Sequence, residues 1–136
     1  MGMPTIEICA ALVVDPDGRM LLVRKRGTSA FLQPGGKPEP GETPVETIVR
    51  ELDEELGLAL AATRFETLGT FEEAAANEPD HRVVGHAFRV ELTRAEAVAA
   101  REAAEIAELR WATVAEAQGL ALAPLTRSYF VPLVLG

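Results

Sequence analysis

The chain has 136 residues, a length that suits one domain, and 48% of them are hydrophobic, which is enough to fill a core. Its formal net charge of −8 argues against a general binder of nucleic acid or of anionic membranes, because either partner requires a basic surface. A single cysteine, Cys9, excludes an intramolecular disulfide. We therefore expect a cytoplasmic protein without a signal peptide or a membrane span.

The first 26 residues predict a β-hairpin. Residues 5–14 are β-rich and mostly apolar, which is typical of a central strand, and residues 15–18 read Asp-Pro-Asp-Gly, a turn sequence. Residues 19–26 form the returning strand and end in three basic residues. Arg24 or Arg26 is a candidate to bind a substrate phosphate, because a guanidinium group can bind phosphate bidentately; a solvated strand end is the alternative.

A glycine-containing loop precedes the best-defined predicted helix. Gly35 and Gly36 follow a proline, and paired glycines allow the backbone to approach a ligand or a metal closely. Lys37 comes next and is a further candidate for binding phosphate, with a solvated loop lysine as the alternative. We therefore expect this loop to form part of the wall of a ligand site.

Local signals define the helix over residues 43–56. Thr43 is the expected N-cap, and Glu46 completes a capping box with it. Gly57 stands where a left-handed C-terminal cap is expected. Five aliphatic residues share one stripe at helical spacing, so we expect that face to be buried. The stripe consists of Val45, Ile48, Val49, Leu52 and Leu56.

A second face of this helix concentrates acid. Glu51, Glu54 and Glu55 are neighbours on the helix surface, and like charges at this spacing cost about 0.2–0.5 kcal/mol per pair. Acids in the last turn also oppose the helix dipole. One interpretation is a solvated, glutamate-rich face; the other is a ligand field for a hard divalent cation such as Mg²⁺, which would remove the repulsion.

The acidic face belongs to a longer motif, G-x5-E-x7-R-E-U-x-E-E-x-G-U, in which U is a bulky aliphatic residue. The matching residues are Gly36, Glu42, Arg50, Glu51, Leu52, Glu54, Glu55, Gly57 and Leu58. This motif is the Nudix box, and the sequence resembles the MutT-like Nudix hydrolases. The box covers residues 36–58, and the order of the flanking elements is also similar to that of the family.

The resemblance implies a fold and a metal site. The fold is the Nudix α/β/α sandwich, a mixed sheet between helices, here as a single domain over residues 1–136. The implied cofactor is Mg²⁺, with Mn²⁺ as a substitute, held by three glutamates and a backbone carbonyl. These ligands are Glu51, Glu54, Glu55 and Gly36. In the family, Arg50 would orient a glutamate, Glu42 would support the edge of the site, and homodimers are common.

The C-terminal half predicts strands over residues 64–71 and 83–92, with a polar loop at 72–82 between them. Such a loop could choose the substrate, and its candidate residues are Asn77, Glu78 and His81. His86 fits a structural role in the second strand.

After these strands, residues 93–107 look partly helical, 109–112 form a short strand, and 113–118 start a helix. The last helix is predicted over residues 125–131, where Pro132 interrupts it.

Another acid of the site is predicted before this short strand. In the family, an acid at a similar distance before a strand tryptophan supplies a metal ligand or the general base. Glu105 is the first candidate, followed by Glu102 and Glu108, and a helix-surface acid is the alternative.

These features predict Mg²⁺-dependent hydrolysis of a phosphoanhydride bond in a nucleoside diphosphate linked to another moiety, with a nucleoside triphosphate as the expected substrate. ADP-ribose and dinucleoside polyphosphates are alternative substrates. A non-catalytic nucleotide sensor is the second class of function, although such relatives usually lose a box glutamate and this chain retains all of them.

Overall fold

The computed structural model describes residues 5–74, 82–124 and 126–135. Its strands are β1 (Thr5–Val14), β2 (Met20–Lys25), β3 (Gly35–Gly36), β4 (Glu66–Ala74), β5 (Arg82–Glu91) and β6 (Ile106–Ala112). Its α-helices are α1 (Pro44–Leu56), α2 (Arg94–Ala99), α3 (Val114–Gln118) and α4 (Val131–Leu135). Within these ranges, no helix combines the length and the apolar character needed to cross a membrane. The loop candidates Asn77, Glu78 and His81 lie outside the described residues.

The strands form one mixed sheet in the order β4-β5-β1-β2-β6, and β3 pairs with β1. β1 runs parallel to β5 over its whole length, from Thr5 opposite Arg82 to Val14 opposite Glu91. It pairs antiparallel with β2 and with β3. The prediction of a central first strand is therefore confirmed.

Helices cover both faces of this sheet. Ala11 and Val13 of β1 pack in the same apolar cluster as α1, whereas Leu12 and Val14 pack with Phe130 near the C-terminus. Because successive side chains of a strand point to opposite faces, a strand buried on both sides must be apolar throughout. The α/β/α sandwich predicted from the sequence is confirmed, and the apolar run of β1 is explained by it.

Helix α1 begins and ends where its sequence predicts. Thr43 and Glu46 form the complete capping box, and Gly57 adopts φ 69° while its N–H donates to the carbonyl of Asp53 at 3.0 Å. The predicted apolar stripe is narrower than expected: Ile48, Leu52 and Leu56 are buried. Val45 and Val49 are only partly buried, because they lie at the margins of the helix face that contacts the sheet.

The C-terminal region departs from prediction at the last helix. A π-helical turn over Thr126–Phe130 leads directly into α4, so Pro132 does not end the helical segment. Pro132 lies one residue after the π-helical turn passes into α4, and at such a change of hydrogen-bonding pattern a residue without an N–H is tolerated inside a helical segment. β6 also begins three residues earlier than predicted, because residues 106–108 pair with the end of β2.

The short strand β3 lies directly against β1. Gly35 has φ 154°, and a Cβ atom placed on it would overlap the carbonyl oxygen of Cys9. Gly41 also has a positive φ, 81°, but a Cβ atom there would meet open space. The first glycine of the pair is therefore required by close backbone packing.

We predict that Gly35→Ala lowers the free energy of unfolding more than Gly41→Ala, by about 1–3 kcal/mol, the usual cost of overpacking. Both substitutions place a side chain at positive φ, so their difference isolates the steric overlap. Urea denaturation of the two variants measures it. Equal losses of stability would contradict the close approach of β3 and β1.

Candidate active site

Gly36 and the charged box residues of α1 line one cavity of about 590 Å³ between α1, β3 and the segment that precedes β6. Acids from α1 meet basic side chains from β2 and from the loop after β3 here. The charged residues of the wall are Lys25, Lys37, Glu39, Arg50, Glu51, Glu54, Glu55 and Glu105. The cavity therefore has the mixed charge that an anionic ligand and a cation could share.

Arg50 is the hub of the acidic residues. Its Nε and Nη2 donate to the two carboxylate oxygens of Glu42, at 2.7 and 3.0 Å. Its Nη1 donates to Glu51 at 2.9 Å and to Glu54 at 3.3 Å. Glu46, the other acid within reach along the helix, instead accepts a hydrogen bond from the N–H of Thr43. Arg50 thus holds glutamates in place from within the protein wall.

Glu42 is the most completely satisfied acid of this group. Besides Arg50, it accepts hydrogen bonds from the Thr47 hydroxyl at 2.8 Å and from the N–H of Glu39 at 2.9 Å. The hydrogen bonds from Arg50 are the largest cause that lowers the pKa of Glu42 to about 2. Glu42 is therefore a fixed anion that anchors Arg50 at the edge of the cavity.

Glu55 is in the opposite situation. Its side chain is buried, and its Oε1 has no hydrogen-bond partner among the described residues. Burial, followed by the neighbouring Glu51, raises the pKa of Glu55 to about 9, and Lys25 and the N–H of Gly35 oppose the shift. A buried carboxyl oxygen without a partner is costly, and a bound cation would supply the missing interaction.

The donor set fits a hard divalent cation. Glu51, Glu54 and Glu55 offer carboxylate oxygens to one cavity, and the absence of a Cβ on Gly36 leaves the space that the Glu51 carboxylate occupies. Across the described ranges, no three acidic, histidine or cysteine side chains already surround one metal position. Glu51 and Glu54 instead form ion pairs with Arg50, at 2.9 and 3.3 Å.

Glu105 lies at the rim of the same cavity, on the segment between α2 and β6. Its carbonyl accepts a hydrogen bond from the N–H of Arg26 at 2.9 Å, and the preceding residue, Ala104, has φ 54°. The lower-ranked candidates lie elsewhere. Glu108 pairs with Arg24, and the exposed Glu102 is not among the described residues of the cavity wall.

The whole fold and the box match one family. The family model described as NUDIX domain matches residues 3–134 of the chain. The chain belongs to the NUDIX family. This NUDIX domain confirms the resemblance that the motif predicted.

Known relatives of the domain include nucleotide hydrolases. This chain is 33% identical over 93 residues to the CTP pyrophosphohydrolase of Escherichia coli K12, and the match covers 65% of this chain and 64% of the relative. It is 35% identical over 71 residues to an 8-oxo-dGTP diphosphatase of Haemophilus influenzae, covering 48% of this chain and 52% of the relative. The chain spans less than two thirds of the length of each curated relative it matches.

A solved structure supports the same fold over nearly the whole chain. The crystal structure of a MutT NUDIX hydrolase from Burkholderia pseudomallei superposes with a TM-score of 0.73. The two sequences are 26% identical, and the match covers 90% of this chain and 93% of that one.

The basic residue of β2 near the cavity of the NUDIX domain differs from the two that the sequence predicted. Lys25 lines the cavity, whereas Arg24 donates to Glu108 and to the carbonyl of Thr28, and Arg26 is exposed outside the described wall. Strand alternation could have indicated Lys25, because it follows Leu21 and Val23 on the face that α1 covers. That Arg24 or Arg26 binds a substrate phosphate therefore stays a prediction, since neither residue is in the described cavity wall.

We predict that Glu42 stabilises the NUDIX domain in a pH-dependent manner. Its pKa is about 2 in the folded state against an ordinary value of 4.5, so its contribution is complete above pH 4.5. That contribution is lost as the pH falls towards 2. The stability difference between wild type and Glu42→Gln, measured by urea denaturation at several pH values, should shrink over this window, and a constant difference would contradict the Arg50–Glu42 pair.

Proposed function

We propose that this domain hydrolyses a phosphoanhydride bond of nucleoside triphosphates and requires Mg²⁺, with Mn²⁺ as a substitute. The observation that carries the proposal is the buried Glu55, whose Oε1 has no hydrogen-bond partner among the described residues, in a cavity that two lysines also line. The names of two of the three curated relatives, a CTP pyrophosphohydrolase and an 8-oxo-dGTP diphosphatase, support the substrate class, whereas the third is named an RNA pyrophosphohydrolase. The small cavity and the net charge of −8 favour a free nucleotide over a nucleic acid.

The residues that would hold the metal are Glu51, Glu54, Glu55 and the carbonyl of Gly36, with Glu105 as a further ligand or as the base. Bound there, Mg²⁺ would offset negative charge on the phosphate oxygens as the P–O bond breaks. Arg50 keeps Glu51 and Glu54 close to the cavity by hydrogen bonds of 2.9 and 3.3 Å, and Glu42 keeps Arg50 in place.

The chain's own residues supply the remaining parts of the reaction. Lys25 and Lys37 lie in the wall and would bind the phosphate oxygens of the substrate. The oxygen of a water molecule forms a new bond to phosphorus, the bridging P–O bond breaks, and the leaving phosphate departs with the bond's electron pair. Glu105, an exposed residue of the wall, would accept the proton that the water loses.

The carboxylates of α1 provide the first test. We expect Glu54→Gln and Glu55→Gln to lower kcat at least ~10- to 100-fold. Loss of a residue that only supports a metal ligand already has an effect of this size. Asp53→Asn, which changes an exposed acid that directly precedes Glu54, is the matched control and should retain wild-type turnover.

Hydrolysis is measured with Mg²⁺ on nucleoside triphosphates, ADP-ribose and dinucleoside polyphosphates, and the products are identified by phosphorus NMR. Wild-type rates in both glutamine variants would refute the assignment of this face. Turnover of ADP-ribose alone would refute the substrate class.

Lys25 and Arg26, the two candidates for binding the substrate phosphate, give a second test. Lys25→Gln should lower kcat/KM about 10- to 100-fold, the value of a charge-assisted hydrogen bond to phosphate. Arg26→Gln removes a neighbouring charge outside the described wall and should change kcat/KM far less. A larger loss in the Arg26 variant would support the sequence-based assignment in place of Lys25.

A further inference from the structure

A buried polar pair joins the glycine loop to the C-terminal segment. The Oγ1 of Thr126 donates a hydrogen bond of 2.5 Å to the Oε1 of Gln33, across 93 residues of sequence. Gln33 is 4% exposed and Thr126 is fully buried. Polar side chains at such depth need a reason, and nothing in the chemistry of the carboxylates uses this pair.

The nitrogen of the Gln33 carboxamide is left available. No hydrogen bond joins Nε2 to any residue that the structure describes, although the oxygen of the same group is engaged. Among the described residues, Glu55 Oε1 is the one side-chain atom that is both buried and without a hydrogen-bond partner. Gln33 Nε2 also has no partner there, so it is not fully buried and contacts open space. Gln33 lines the same 590 Å³ cavity, which makes that space the interior of the cavity.

The partner of Gln33 lies on the opposite face of the sheet from the acids. Glu51 and Glu55 belong to α1 on one face, whereas Thr126 belongs to the segment that covers the other face. Ile8 and Leu32 line the wall together with Gln33 and add apolar surface. An apolar wall with one polar group that can fix orientation suits a flat heterocycle, whereas the charged residues of the wall suit phosphates.

We propose that Gln33 selects the substrate's nucleobase: its Nε2 donates a hydrogen bond to a carbonyl oxygen of the base, and the domain therefore prefers bases with a keto group to adenine. A free glutamine recognises adenine by donating to N7 and accepting from the 6-amino group. The hydrogen bond from Thr126 holds the oxygen of Gln33 towards the C-terminal segment and leaves Nε2, a donor, to face the base. This inference rests on the proposed function, whose substrate class it specifies.

ITP and ATP test the inference as a matched pair, because the purine of ITP carries a keto oxygen at position 6 where ATP carries an amino group. Wild type should hydrolyse ITP with a kcat/KM about 10- to 100-fold above that for ATP, as expected when a buried donor is satisfied by one substrate and not by the other. In Gln33→Leu the ratio should fall to about 1. Thr126→Val should lower the ratio as well, whereas Thr126→Ser, which retains the hydroxyl donor, should preserve it.

Equal kcat/KM for ITP and ATP in wild type would overturn the inference while the proposed hydrolysis stands. A Gln33→Leu variant that loses activity on both substrates by the same factor would also overturn it, because Gln33 would then act only on the structure. Thermal melting shows whether each variant is folded.

If wild type hydrolyses no nucleotide, the proposed function fails, and binding of the α,β-imido analogues of ITP and ATP decides the inference by calorimetry. Tighter binding of the ITP analogue, lost in Gln33→Leu, would support it. Equal binding, or none, would overturn it.

Discussion

The structure depends on one unfavourable arrangement, a concentration of negative charge near the C-terminus of helix α1. Glu51, Glu54 and Glu55 stand near the C-terminus of α1, where the helix dipole disfavours anions. Arg50 offsets part of this charge, since its guanidinium lies within 3.5 Å of carboxylates on both sides of the cavity edge. These partners are Glu39, Glu42, Glu51 and Glu54. Arg50 does not reach Glu55, and among the described residues the buried Oε1 of Glu55 has no hydrogen-bond partner, which a cation would supply.

The rest of the fold keeps this unfavourable arrangement in place. Ile48, Leu52 and Leu56 are fully buried against the sheet, and complete burial of one such side chain contributes about 1.5–3 kcal/mol. The last carbonyls of α1 are also satisfied, because the N–H groups of Ala103 and Arg101 donate to Glu55 and Leu56 at 3.0 and 3.1 Å. Apolar packing and backbone hydrogen bonds thus fix the helix, so its acidic face need not be stable by itself.

The cavity wall combines acidic, basic and apolar side chains, so an acidic protein can accommodate an anionic ligand there. Lysines from β2 and from the loop after β3 bring positive charge to the side of the cavity that holds the carboxylates. Ile8 and Leu32 add apolar surface to the same wall, and Gly36 approaches Glu51 so closely that no side chain would fit. A ligand with a charged chain and a flat, weakly polar base matches such a wall.

The sequence by itself determined helix α1, its caps and its charged face, and with them the family and the class of chemistry. Those features depend on residues within four positions of one another, so Thr43, Glu46 and Gly57 could be interpreted without any knowledge of the fold. Only the tertiary structure decided that Glu55 is buried, that Arg50 binds Glu42 in preference to Glu46 and that Gln33 meets Thr126. These outcomes follow from which strands pair and which helix covers each face of the sheet. Contacts between residues far apart in the chain carry no local periodic signal.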